Sequence, residues 1–300
     1  MSSGSLPPPT GAPVPSVPPE PVAPVATAAA TPATQVAPAG WYPDPSGGWR
    51  WFDGIAWGPV WQPATERPAL PTLRLSDAVW ALVILAASLV AGRFVVDAIA
   101  DGTPVLVQAL VSGFVGYAPS VAWCMHVLRR EGTGPTHVLG LRFRWPDLGW
   151  GPVTYLAAIA VEVGLALVIR LIGVPFESNV SETTAADRTA GYVIGLVVTA
   201  VIAAPIVEEL VFRGVVLRGL ASRLGVIGAV AVQAVLFGCA HIDPARGWGN
   251  AGLAVALSGV GAALGVTAVL TRRLGAPMIA HAILNGVVLA VVLSGALDNV

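Results

Sequence analysis

From Ser76 onward the chain is a succession of apolar runs, each about as long as a bilayer is thick, separated by short polar gaps. Seven such runs are read, approximately over 77–100, 104–128, 150–173, 190–212, 224–242, 249–270 and 276–297. A helix rises ~1.5 Å per residue, so about 20 residues cross a ~30 Å hydrocarbon core. In lipid only helices satisfy their own backbone without closing a barrel, and these runs are about twice the length of barrel strands. The expected fold class is therefore all-α, a polytopic transmembrane helical bundle of about seven helices, with room for an eighth, short or re-entrant one. Composition agrees, because 11% charged residues is far below the roughly one quarter of a soluble domain. Mean hydropathy is +0.74. Membrane lipid is thus the expected main partner. A net charge of -1 with no long basic run excludes a nucleic-acid partner. Cys124 and Cys239 both lie inside apolar runs, which excludes a disulfide framework and a cysteine-rich metal site.

The first 75 residues have a different character. Residues 1–39 read as a disordered Pro/Ala-rich arm: the first forty residues hold eleven of the 26 prolines and one charge, Glu20. The arm lacks the features of a secretory signal, so the N-terminus is expected to stay on the side where it is made. Residues 40–62 hold half of the ten tryptophans, punctuated by Pro43-Asp44-Pro45-Ser46-Gly47-Gly48 and by Phe52-Asp53-Gly54. This pattern predicts a tiny hairpin stapled by stacked indoles, whose partner is unknown. The segment resembles a short tryptophan-rich module of unknown function found at the N-termini of actinobacterial membrane proteins. That resemblance implies a bacterial plasma membrane. A linker, 63–75, leads to the bundle at 76–300. Arg129, Arg130, Arg142, Arg144, Arg218, Arg223, Arg272 and Arg273 cluster in alternate gaps. By the positive-inside rule those gaps are cytoplasmic, with the N-terminus inside and the C-terminus outside.

Ionisable residues inside the runs carry the chemistry, since each costs about 2.5–3.5 kcal/mol at a helix centre. Glu208, Glu209 and Arg213 interrupt one apolar helix. Glu209 and Arg213 stand four apart in the favourable acid-first order and neutralise one another, whereas Glu208 is turned about 100° away and has no local partner. Phe237 and His241 lie one turn apart on the next run, and His281 and Asn285 share a face of the last. Three helices thus contribute the side chains needed to split an amide. Glu208 is the candidate base, with His241 sharing the water and passing a proton to the leaving amine. His281 and Asn285 suit the oxyanion. No Ser or Cys lies at a comparable position beside a histidine, so an acyl-enzyme is not favoured. A zinc-bound water on Glu208, His241 and His281 is the alternative chemistry, although His-Glu-x-x-His is absent; metal-free catalysis is preferred.

Glu208-Glu209-x-x-x-Arg213, Phe237-x-x-x-His241 and His281-x-x-x-Asn285 together resemble the three signature motifs of the CAAX-protease and bacteriocin-processing (CPBP, or ABI) intramembrane endopeptidases. The resemblance spans roughly residues 190 to 297. It implies a multi-helix bundle with a buried cavity and cleavage of membrane-associated proteins or peptides. It also implies Glu208 and His241 at the water, His281 and Asn285 at the oxyanion, and Glu209, Arg213 and Phe237 in support. Family members are described both as metalloproteases and as glutamate-dependent proteases, so the resemblance leaves zinc open. The alternatives are a catalytically silent membrane adaptor or self-immunity protein, and a small proton-coupled transporter.

Span boundaries placed at these residues leave Glu208 and His281 toward one side of the membrane and His241 toward the other. A tilted fifth helix, or a fourth helix continuing past Arg213 and broken at Gly214, Gly219 or Gly225, would reconcile them. Glu162 is expected to make an interhelical hydrogen bond, and Arg93 and Arg170 to snorkel. Gly259, Gly261 and Gly265 are read as close-packing positions.

Overall fold

The computed structural model describes residues 37–45, 49–61, 70, 72–131, 140–177 and 189–295. The readings made on residues 1–36, on Ser46 to Gly48, on most of the linker and on the 132–139 gap lie outside the described residues. Two compact units are present, 1–69 and 70–300.

The first unit is a sheet of three antiparallel strands in the order β1 (Gly40–Pro43), β2 (Trp49–Phe52) and β3 (Trp57–Trp61) rather than a two-stranded hairpin. The Asp53 carboxylate accepts the N–H groups of Ile55 and Ala56, both at 2.7 Å, and this local turn reverses the chain so that Trp57 pairs with Phe52. Pro59 argues against a strand in sequence, yet β3 is an edge strand, where a missing N–H costs no ladder bond. The rings meet edge to face: Trp41 lies opposite Trp51 with centroids 5.6 Å apart. Tyr42, Phe52 and Trp57 form a second cluster around the buried Phe52.

The second unit is the helical bundle. Its elements are α1 (Leu75–Ile99), α2 (Val105–Glu131), α3 (Asp147–Leu171), α4 (Ala190–Cys239), α5 (Ala251–Thr271) and α6 (Gly275–Leu293). Among the described residues six helices are long and apolar enough to cross a membrane, and the chain is a multi-pass membrane protein. The count is lower than the expected seven because the fourth and fifth runs join into one helical stretch of 50 residues. That stretch is not straight. Gly225 sits at φ 67°, ψ 175°, a conformation that only glycine adopts without strain, and it breaks α4 into two arms. The chain doubles back there: 33 residues of straight helix would hold positions 208 and 241 about 50 Å apart, whereas Glu208 and His241 are in contact.

The first arm of α4 is the post around which the bundle is built. Residues 209–219 are buried on every side, and Val211, Phe212, Val215 and Val216 anchor the apolar core with Phe237, Val260, Leu264 and Leu284. The second arm meets α5 through small residues. A Cβ at Gly238 would fall on the Ala254 carbonyl and Ser258, and one at Gly261 would lie 3.1 Å from Ala234. Gly259 likewise admits Leu165, and Gly265 admits Gln233. These glycines are close-packing positions. The outer faces of α1, α2 and α3 carry many exposed large apolar side chains, such as Phe94, Phe114 and Leu156, as expected for surfaces solvated by lipid.

Two of the arginines at the ends of the spans are already neutralised. Arg130 forks onto the buried Asp77, tying α2 to α1, and Arg273 pairs with the buried Asp147 at 2.7 Å, tying the α5–α6 turn to α3. Arg93 pairs with Asp97 one turn on. Among the described residues Glu162 makes no hydrogen bond or ion pair, contrary to expectation.

Candidate active site

The site begins with an irregularity in α4. The segments Val197–Ala203 and Leu210–Val216 are wound as π-helix, with Ala204 N–H donating to Thr199 and Leu217 N–H to Phe212, five residues back. Between them a single α-helical turn, Ala204–Glu209, carries both acids. The first π register assigns the Ala200 carbonyl to residue 205, which is proline and has no N–H to give. Asn285 of α6 supplies the missing donor, with Nδ2 at 2.8 Å from that oxygen. The helix therefore opens at the site, and a side chain of the site repairs it.

Glu209 is wholly buried; its Oε2 has no hydrogen-bond partner, and its contacts are all made by the other oxygen. Its Oε1 accepts from Arg213 Nη1 at 2.8 Å and from His281 Nδ1 at 3.0 Å. Arg213, also wholly buried, donates from Nη2 to the Gly261 carbonyl at 3.0 Å, and its guanidinium lies 4.5 Å from the Phe237 ring centre. Phe237 touches both imidazoles, with centroids 4.7 Å from His241 and 5.7 Å from His281. The expected Glu209–Arg213 pair thus belongs to a larger framework that aims the two histidines.

Glu208 points elsewhere. Its Oε2 is buried with no protein hydrogen-bond partner, 3.9 Å from His241 Nε2 and 3.8 Å from His281 Nε2. Each ring is fixed by its other nitrogen: His241 Nδ1 lies 2.8 Å from the Phe237 carbonyl, and His281 Nδ1 faces the Glu209 carboxylate. Both of those groups accept, so each Nδ1 carries a proton and each ring turns its Nε2 toward Glu208. Beside this point a cavity of about 300 Å³ is lined by Glu208, His241, Phe212, Asp243, Leu85 and Leu89, with mixed polar and apolar walls.

The sequence-derived residues Glu208, Glu209, Arg213, Phe237, His241 and His281 therefore meet in space. Asn285 lies one turn from His281, and its described contact is the Ala200 carbonyl. The depth mismatch expected from the span boundaries disappears, because Glu208 and His241 stand 17 and 16 residues from the Gly225 break on two returning arms.

The donor types fit a zinc ion: a carboxylate and two imidazoles, each held at Nδ1 by an acceptor in the way that frees Nε2 to ligate. The spacing is looser than such a site needs, since bonds of ~2.0–2.1 Å in a tetrahedron bring ligand atoms within about 3.3 Å of each other. Among the described residues no group of three His, Cys, Asp or Glu side chains closes to metal-holding distance.

Residues 190–287 match the family described as type II CAAX prenyl endopeptidase, Rce1-like. The match covers about a third of the chain. No curated protein and no solved structure matches the chain.

Other residues around the site escaped the sequence reading. Asp243 lines the cavity two positions after His241. Buried Asn250 holds the loop that carries both: its Oδ1 accepts from Asp243 N–H at 2.9 Å, and its Nδ2 donates to the Glu177 carbonyl at 2.8 Å. Tyr117 of α2 lies next to Glu208 and also lines an apolar groove of about 460 Å³ between α2 and the first π segment. Adjacency to His241 was a signal for Asp243; nothing in the local pattern marks Asn250 or Tyr117.

Proposed function

We propose that the chain is an intramembrane endopeptidase that hydrolyses peptide bonds of membrane-associated proteins or peptides by activating a water at Glu208. One observation carries this reading: a buried carboxylate oxygen without a hydrogen-bond partner faces the Nε2 atoms of two imidazoles across 3.8 and 3.9 Å. Separations beyond 3.5 Å between such polar atoms are those at which a bridging water enters.

A water seated there donates to Glu208 Oε2 and to His241 Nε2. As its oxygen attacks the scissile carbonyl carbon, Glu208 takes the proton and negative charge moves to the carbonyl oxygen. Asn285 retains a second Nδ2 hydrogen for that oxygen, and His281 donates from Nε2 when its ring carries a second proton. On collapse the C–N bond breaks, and the proton held by Glu208 or His241 goes to the leaving amine. Phe237 and the Glu209–Arg213 pair hold the rings throughout. A zinc ion, where one binds, would sit on Glu208, His241 and His281 and supply Lewis acidity to the same water. The chain works, in this reading, in a bacterial plasma membrane with its N-terminus in the cytoplasm.

Cleavage of a library of membrane-tethered peptides by the reconstituted chain tests the proposal. Glu208→Gln is expected to lower kcat/KM by about 10²–10⁴-fold while the protein unfolds at an unchanged temperature. Undiminished cleavage by that variant rejects the base, and no cleavage by the wild type favours a silent adaptor. Exhaustive chelation is expected to leave the rate unchanged, with elemental analysis finding no stoichiometric zinc; a rate restored only by added zinc would reverse that assignment.

A further inference from the structure

The tryptophan-rich sheet stands outside the chemistry above, and so does the proline tract that precedes it. In that tract Pro15, Pro18, Pro21 and Pro24 recur at every third residue. A polyproline II helix has three residues per turn, so a segment 15–24 in that conformation would carry all four pyrrolidine rings along one edge. Such a helix enters a bound state at low entropic cost, and proteins that bind it do so with grooves walled by aromatic rings.

The sheet has such a wall. Trp57 is 52% exposed although it is the large ring of the unit's small core. It stands 5.4 Å from Tyr42 at an interplanar angle of 77°, with the buried Phe52 beneath, so the two rings form two sides of a notch. The incoming chain already contacts this notch: the Tyr42 hydroxyl donates to the Pro38 carbonyl at 2.8 Å. Arg50, the cross-strand neighbour of Tyr42, is already paired with Asp44 at 3.2 Å, so the face offers the tract rings rather than a free charge. Fifteen residues separate Pro24 from Gly40. At up to ~3.3–3.6 Å per residue they reach about 50 Å, far more than a sheet of five-residue strands requires. A linker of this length holds a tethered segment at roughly millimolar effective concentration, so a weak site suffices.

We propose that the Tyr42–Trp57 notch of the sheet docks the Pro15–Pro24 segment of its own chain as a polyproline II helix, with the edge of every third proline against the rings. The contact caps the exposed indole and shortens the free arm.

The test uses the full chain labelled with fluorotryptophan in detergent micelles, read by fluorine NMR with the ten signals assigned by single substitutions. Replacing Pro15, Pro18, Pro21 and Pro24 by Ala is expected to shift the Trp57 signal. Replacing Pro7, Pro8, Pro13 and Pro32 by Ala, an equal loss of proline out of phase with the three-residue repeat, is expected to leave it in place. None of these positions lies in the sheet, so its folding is not at stake. A synthetic peptide of residues 13–26 added at millimolar concentration to the first variant should return the signal to its original position. An unmoved Trp57 signal in the first variant, or an equal shift in both, overturns the proposal. A wild-type signal that changes on dilution overturns it in favour of docking between two copies, and a response confined to Trp49 and Trp51 overturns the choice of face.

Discussion

Glu208 and Glu209 are neighbours in the chain, yet their carboxylates live in opposite surroundings. Glu209 is sealed in the bundle, with Arg213 and His281 on one oxygen and the Phe237 ring over its arginine. Each acid keeps one oxygen, Oε2, without a hydrogen-bond partner, but only Glu208, one helical step around, borders a cavity. The first arrangement resembles a structural ion pair and the second a reagent. The difference teaches that burial alone does not mark a working acid. What marks it is an unmet valence at a place where water and substrate can arrive.

The sharpest way to break this contrast is to neutralise each acid in turn. Glu209→Gln leaves the buried Arg213 uncompensated and is expected to cost about 3–5 kcal/mol of stability in a denaturation series. Glu208→Gln should cost under about 1 kcal/mol while abolishing most cleavage, since Glu208 has no buried cation to abandon. Equal destabilisation by the two would erase the distinction. Asn285 sits on the border between framework and reagent. Asn285→Ala orphans the Ala200 carbonyl beside Pro205, an expected loss of about 1–3 kcal/mol, and it should also slow cleavage. Lost stability with unchanged kcat would assign Asn285 to the framework alone.

The smallest effect lies in the first unit, where a third carboxylate is held by backbone instead of side chains. The N–H groups of Ala56 and Ile55 hold the Asp53 carboxyl below its ordinary value of 3.8. Because the folded value is depressed, the turn gains its help above the unfolded value and loses it as pH falls through the folded one. Tryptophan fluorescence of the sheet should therefore be flat from pH 7 to about 4 and change only below that.

Much of this was legible in sequence. Apolar runs of bilayer length dictate spanning helices, because lipid offers the backbone no alternative. The pairs Glu209/Arg213, Phe237/His241 and His281/Asn285 were legible because one helical turn is a local geometry that needs no tertiary information. Their meeting was not derivable from spacing alone; it depended on Gly225, one glycine among 34, taking a conformation that a pattern of apolar residues does not encode. The third strand was hidden by Pro59, which is harmless only at an edge that the sequence does not announce. Asn285 read as a donor but not as a repair, since its acceptor depends on a π register. Asn250 reaches Glu177 across 73 residues, and Asp77 meets Arg130 across 53. Contacts at that range leave no periodicity to read.

The break at Gly225 gives the chain a ruler. Two arms of 17 and 16 residues run out and back from one bend, so the base and its imidazole partner meet only while the count on each side holds. A single residue inserted into either arm would slide its end by about 1.5 Å and swing it through about 100°, carrying one group to the far side of its helix. Such an indel could leave hydropathy, helix number and every side chain of the site intact and still silence it, which makes the length between 208 and 241 as much a part of the active site as the residues at its ends.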